Sequence, residues 1–126
     1  MHNNKGQSLV MFVLILPIIL MILVMVVDIG KMMLLRSSLN NINYIAMDYG
    51  LDNLDRENIV GDIEEVIYKN KSDIDSVSVL IDDGKIQITL KDNVDLLILK
   101  DRQLFYVKST YVGYISNNKK IIERVK

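Results

Sequence analysis

The chain has 126 residues, a formal net charge of −1, a single histidine, no cysteine and no tryptophan. That inventory excludes disulfide staples, zinc sets built on histidine and cysteine, and the usual nucleophile–base pairs; no enzyme, cofactor, metal or small-molecule substrate is expected. Nucleic acid is not an expected partner either: the basic tail of Lys119, Lys120, Arg124 and Lys126 reads as a solvated end.

The N-terminal region is dominated by an uncharged run of 19 residues, Leu9 to Val27, interrupted only by Pro17. At ~1.5 Å rise per residue a helix of this length extends roughly 28 Å, close to the hydrocarbon thickness of a bilayer. A helix also satisfies its own backbone hydrogen bonds there. A cleaved secretory signal fits less well. The run is too long, and Asp28-Ile29-Gly30-Lys31 follows it where a small-residue cleavage site would stand. The expected organisation is a stub at 1–6, a transmembrane helix at 7–30 and one domain at 31–126. About 95 residues beyond the span suffice for one small domain. Flanking positive charge is nearly balanced, Lys5 against Lys31 and Arg36, and leaves the orientation open.

Helical periodicity continues past Asp28. Met32, Leu35, Leu39, Ile42, Ala46 and Tyr49 form one apolar stripe, with Arg36, Ser37, Asn40, Asn41 and Asn43 on the remaining faces. One helix from about Ser8 to Tyr49 is expected, with Gly50 as its C-cap; a hinge at Gly30 is the alternative. Asp55 is placed to cap a second helix, with Glu57 in its first turn, Ile59, Ile63, Val66 and Ile67 as its buried face, and Lys69 and Lys71 at its end.

Ser76–Asp82 and Lys85–Lys91 alternate polar and apolar residues around Asp83-Gly84, the signature of a hairpin with a type I′ turn. The register follows: Asp82 opposite Lys85, Ile81 opposite Ile86, Val79 opposite Ile88, Val77 opposite Leu90. Val94–Leu99 reads as strand or a short turn of helix. Leu104–Ile115 reads as a long strand, buried on both faces or bulged near Gly113. Lys119–Lys126 reads as a frayed helical tail. The expected fold class is α+β: a long N-terminal helix, transmembrane in its first half and amphipathic in its second, packed on a small antiparallel sheet.

Three acidic clusters, Asp73/Asp75, Asp82/Asp83 and Asp62/Glu64/Glu65, read as turn or wet surface. The first lacks the third ligand position and the glycine of a calcium loop.

The segment Lys5-Gly6-Gln7-Ser8-Leu9-Val10-Met11-Phe12-Val13-Leu14-Ile15-Leu16-Pro17 resembles the start of TadE/TadF-like minor pseudopilins of tight-adherence (Flp-type) pilus systems. Gly6, Phe12, Pro17, Asp28, Gly30 and Lys31 fall on the positions of that pattern. The resemblance implies a pilin-like fold and processing by a prepilin peptidase between Gly6 and Gln7. It also implies a stub inside, a domain outside, and other pilins, pseudopilins and pilus assembly proteins as partners in the membrane. Met11 stands where the family has a glutamate that pairs with a neighbour's new N-terminal amine. Three readings of that departure stay open: a filament cap, a membrane-resident assembly factor, or an unprocessed single-pass scaffold or sensor-like subunit. Pro17 removes the hydrogen bond to the Val13 carbonyl; it is either tolerated in the span or a point of local unwinding during assembly. Met11, Phe12, Pro17, Asp28 and Gly30 are the candidate packing and assembly residues, and Gly6 and Gln7 the candidate processing site.

Overall fold

The computed structural model describes residues 4–97 and 105–125. Its first element, α1 (Asn4–Asp52), is one helix of 49 residues that runs through Pro17 and Gly30 without interruption. The apolar run and the amphipathic half are therefore one rod, as the continuous periodicity predicts, and no hinge forms at Gly30. Gly50 is not the C-cap. A Cβ there would lie 2.7 Å from Ile63 Cδ1 and 3.0 Å from Ile86 Cδ1. Its missing side chain lets α1 approach its neighbours closely, and the helix continues two residues further.

After a turn in which Arg56 N–H donates to the Asn53 carbonyl (3.1 Å), α2 (Ile59–Asn70) begins. Asp55 lies within that turn and does not cap the helix; Asn58 occupies the cap position and Asp62 is the acid of the first turn. Arg56 pairs with Asp62 at 3.2 Å, which ties the turn to the helix start. Ile59, Ile63 and Ile67 are buried, as the spacing predicts.

The strands β1 (Ser76–Asp82), β2 (Lys85–Asn93), β3 (Tyr106–Ser116) and β4 (Lys119–Val125) form an antiparallel meander in the order β1-β2-β3-β4. The first hairpin has the predicted register, Asp82 to Lys85 through Val77 to Leu90. Asp83 (φ 49°) and Gly84 (φ 81°) supply the two positive φ angles of a type I′ turn.

Two expectations are corrected further along. β3 carries no bulge at Gly113: pairing to β2 runs unbroken from Tyr106 to Gly113, and pairing to β4 from Thr110 to Ser116. The tail is a strand, not a helix. Asn117 (φ 52°) and Asn118 (φ 63°) make a second two-residue turn, asparagine being tolerant of left-handed backbone, and Ile121 and Ile122 then pair along the open edge of β3. Val94–Leu97 is neither strand nor helix; it is irregular backbone with Val94 and Leu96 buried. Residues 98 and 99 of that expected element, Leu104, and the terminal Lys126 lie outside the described residues.

Both helices lie on one face of the sheet. The core joins Leu39, Ile42, Ala46, Met47 and Leu51 of α1 to the buried isoleucines of α2 and to Val79, Ile86, Ile88, Leu90 and Val107. α1 crosses β2, β3 and β4, while α2 covers β1.

One ion cluster fastens the last strand. Lys120 Nζ meets Asp48 Oδ1 at 2.6 Å and Asp52 Oδ1 at 3.0 Å, in the C-terminal turns of α1, where a cation also complements the helix dipole. The hydrogen bond to Asp48, followed by that to Asp52, holds the Lys120 ammonium above its ordinary pKa. A raised lysine stabilises the fold below its unfolded pKa, and the contribution fades as pH climbs through the folded value. Lys120→Met is therefore expected to lower the urea midpoint at neutral pH. The gap between variant and parent should close only at pH above the ordinary lysine range; a gap that is the same at both ends means the cluster contributes nothing.

Candidate functional site: the bare helix and its junction with the domain

The first half of α1 carries no tertiary packing. Leu9–Val27 is exposed throughout except at half-buried Val24, and this is the helix long and apolar enough to cross a membrane. Exposed side chains at this density need a partner that removes them from water, and a bilayer supplies it. The chain is membrane-associated through this helix.

Gly6, Gln7, Met11, Phe12 and Pro17 are strung along the bare half, and none of them touches the domain. Met11 is 53 % exposed and Phe12 is 59 % exposed. A Cβ at Gly6 or at Gly30 would meet nothing within 4 Å, so neither glycine serves close packing within the chain. Among the described residues α1 runs from Asn4, so the bond between Gly6 and Gln7 lies in helical backbone.

The junction is built at Asp28. Its side chain is 6 % exposed, and Oδ1 accepts a 2.8 Å hydrogen bond from the backbone N–H of Leu97. One turn on, Lys31 Nζ donates to the Asp95 carbonyl at 3.4 Å. The segment after β2 therefore doubles back to the helix where the apolar run ends. A carboxylate at that depth is tolerated because it receives a hydrogen bond, and one from a backbone amide is among the strong ones. The structure does not bring Asp28 near Met11: they are 17 positions apart on one rod, roughly 26 Å.

Above the junction, the sequence pattern places Asn40 and Asn43 on the faces outside the apolar stripe. Asn43 is fully buried and Asn40 half-buried. Asn43 Nδ2 donates to the carbonyls of Ile88 (3.0 Å) and Ser109 (3.1 Å), linking α1 to β2 and β3 at once. Ser109 Oγ in turn donates to Asn40 Oδ1 at 2.7 Å. The buried stripe is wider than the apolar letters suggest, because it also takes in Asn43, Met47 and Gly50. The signal lay in the spacing: Asn43, Met47 and Gly50 recur at four and three.

Each acidic cluster has a member that is partnered or structural. Lys71 Nζ lies 2.9 Å from Asp73 and 3.2 Å from Asp92. The Asp73 hydrogen bond, against some opposition from burial, raises the lysine pKa, and the same contact lowers that of Asp73. Asp83 forms the hairpin turn. No group of three or more His, Cys, Asp or Glu among the described residues is arranged to hold a metal ion.

Residues 6–42 match the family model of TadE-like proteins. The match covers the bare half of α1, the junction at Asp28 and the first docked turns, and it ends just before Asn43. No curated protein and no solved structure matches the chain.

Proposed function

We propose that this chain, with its TadE-like N-terminal segment, is a minor pseudopilin-like structural or assembly component of a tight-adherence (Flp-type) pilus or a related secretion apparatus. The observation that carries this reading is the pairing of a TadE-like match with an apolar helix that the chain itself leaves uncovered. Its contacts are then with lipid and with the helices of other pilins, pseudopilins and assembly proteins. The N-terminus lies in the cytoplasm and the sheet outside, where it presents a surface to partners.

Prepilin peptidase cleaves between Gly6 and Gln7 after the helix there unwinds; glycine offers the unhindered backbone such a protease requires. Met11 gives the processed helix no carboxylate with which to neutralise a neighbour's amine. Asp28 is too distant to replace it and is held by Leu97. A subunit of that kind suits the end of a filament, or an assembly role beside it, better than a repeating position in its core. The helical state of the Gly6–Gln7 bond favours a second reading, an unprocessed single-pass scaffold or sensor-like subunit whose outer domain binds an envelope partner.

Intact-mass measurement of the membrane-extracted chain, expressed with and without a prepilin peptidase, separates the two. Loss of residues 1–6 in the presence of the peptidase is the expected result. A mass unchanged by the enzyme removes the processing step and leaves the scaffold.

A further inference from the structure

At one corner of the sheet, Tyr106–Ser109 of β3 lie before the stretch that pairs with β4, Thr110–Ser116, and no described strand runs beside them on that side. Between this corner and α1 lies a cavity of about 370 Å³ lined by Arg36, Asn40, Lys108, Ser109, Thr110 and Arg124. Arg36 of α1 and Arg124 of β4, the latter paired with Tyr111, thus lie on the helix side of the sheet at one cleft, Lys108 borders it from the opposite face beside Lys91, and none of the described lining residues is a carboxylate. Among the described residues, Arg36, Lys108 and Arg124 take part in no ion pair. The floor adds polar side chains, Ser109 Oγ donating to Asn40 Oδ1. Converging like charges repel unless an anion sits among them, and arginine forks match the oxygens of a phosphate.

The corner also faces the membrane. Asn93 at the end of β2 pairs with Tyr106 at the start of β3, and the chain beyond Asn93 reaches Asp28 through Leu97. The Tyr106–Ser109 end of the sheet is therefore its membrane-proximal end. Arg36 stands eight residues past Asp28, ~12 Å along the axis, and side chains on a helix lean back toward its N-terminus, here toward the bilayer. At the same end of the sheet but on its opposite face, Lys91 Nζ stands 3.9 Å over the ring of Tyr106, which is 47 % exposed. Tyrosine and basic side chains together are what a headgroup layer accepts.

We propose that this corner binds the phosphate of an anionic phospholipid from the bilayer that holds the helix, and so seats the domain against the membrane surface. The chemistry required is a phosphodiester anion, and the anchor keeps one at high local concentration. The inference rests on the membrane span alone and is independent of any role in a pilus.

The test uses the full chain in detergent micelles, titrated with phosphatidylglycerol or phosphatidylcholine, with bound lipid counted by native mass spectrometry. Wild type is expected to retain phosphatidylglycerol preferentially. Arg36→Gln combined with Arg124→Gln should weaken that retention about tenfold or more. Lys85→Gln, at the far end of β2, should leave it unaltered. Thermal unfolding of each variant checks that the domain is intact, and Arg124→Gln alone replaces the double variant if that one unfolds. Equal retention of the two lipids by wild type overturns the proposal, as does full retention by the folded double variant. A third arm adds inorganic phosphate: displacement of phosphatidylglycerol at equal concentration makes the cleft a free-phosphate site and overturns the lipid assignment.

Discussion

Asn43→Asp is expected to destabilise the domain at neutral pH by about 3 kcal/mol or more, a fall in Tm on the order of 15 °C. The substitution is almost isosteric, so it leaves no cavity and its effect isolates the polar contact. Asn43 is wholly buried, and its Nδ2 donates to two carbonyls, of Ile88 and Ser109. A carboxylate in the same place turns an acceptor toward those acceptors and carries an unpaired charge into the core. Asn43 Oδ1 already lacks a hydrogen-bond partner among the described residues, so nothing waits to receive the second oxygen. The pH dependence follows from linkage. Burial raises the folded pKa of the introduced carboxyl above its unfolded value of ~3.9. The destabilisation is thus complete above the folded pKa and recedes as pH falls toward the unfolded one. Below that value the protonated group donates one hydrogen bond where the amide donated two, so recovery stops short of wild type. Urea unfolding across pH 3–8 reads both parts. A loss under about 1 kcal/mol that does not vary with pH would mean the Asn43 bridge does not hold α1 to the sheet.

The parts of this structure legible in the sequence are those written in one dimension. Asp83-Gly84 sets its own turn, and the flanking alternation then fixes a register with no help from the rest of the chain. The length of α1 follows from the apolar run and the stripe behind it. The places of Gly6, Gln7, Met11, Phe12 and Pro17 along α1 follow for the same reason, each being a position on a single rod. What escaped depends on distant chain. Lys119–Val125 has no alternation of its own and becomes a strand because β3 offers an open edge; only Asn117-Asn118 announced the turn. The junction joins Asp28 to a backbone amide 69 positions away, and an amide has no letter to read. Gly50 looked like a cap because a glycine after a stripe usually is one, whereas here two isoleucines fill the space where its side chain would be. The basic corner was hidden because Arg36 and Arg124 belong to α1 and β4, which only the meander brings together.

Gly113 shows the same close approach from the side of the sheet, and its replacement carries the second large effect. Glycine inside a strand ordinarily weakens it, so alanine would be expected to help on propensity alone. The opposite outcome is expected here, a loss of about 1–3 kcal/mol for Gly113→Ala. A Cβ at this position would stand 2.5 Å from Met47 Sδ, 2.8 Å from Met47 Cγ and 3.2 Å from Leu51 Cδ1. Met47 is fully buried, so its flexible side chain has nowhere to retreat, and the strain passes to the separation between α1 and β3. Met47→Ala alone should also destabilise, by about 2–5 kcal/mol, through the cavity it leaves. In the double variant the new methyl occupies part of that cavity. Its loss should therefore fall short of the sum of the two single losses by about 1 kcal/mol or more. Urea unfolding of the four proteins measures the coupling, and additivity within ~0.5 kcal/mol would mean that Gly113 and Met47 do not set the distance between helix and sheet. That distance has a mechanical consequence for the proposed role. With Gly113 against Met47, Gly50 against Ile63 and Asn43 bonded across two strands, the upper half of α1 cannot slide or turn independently of the sheet. Any displacement of the bare half, by lipid or by a neighbouring helix, is then delivered to the sheet as a rigid-body movement.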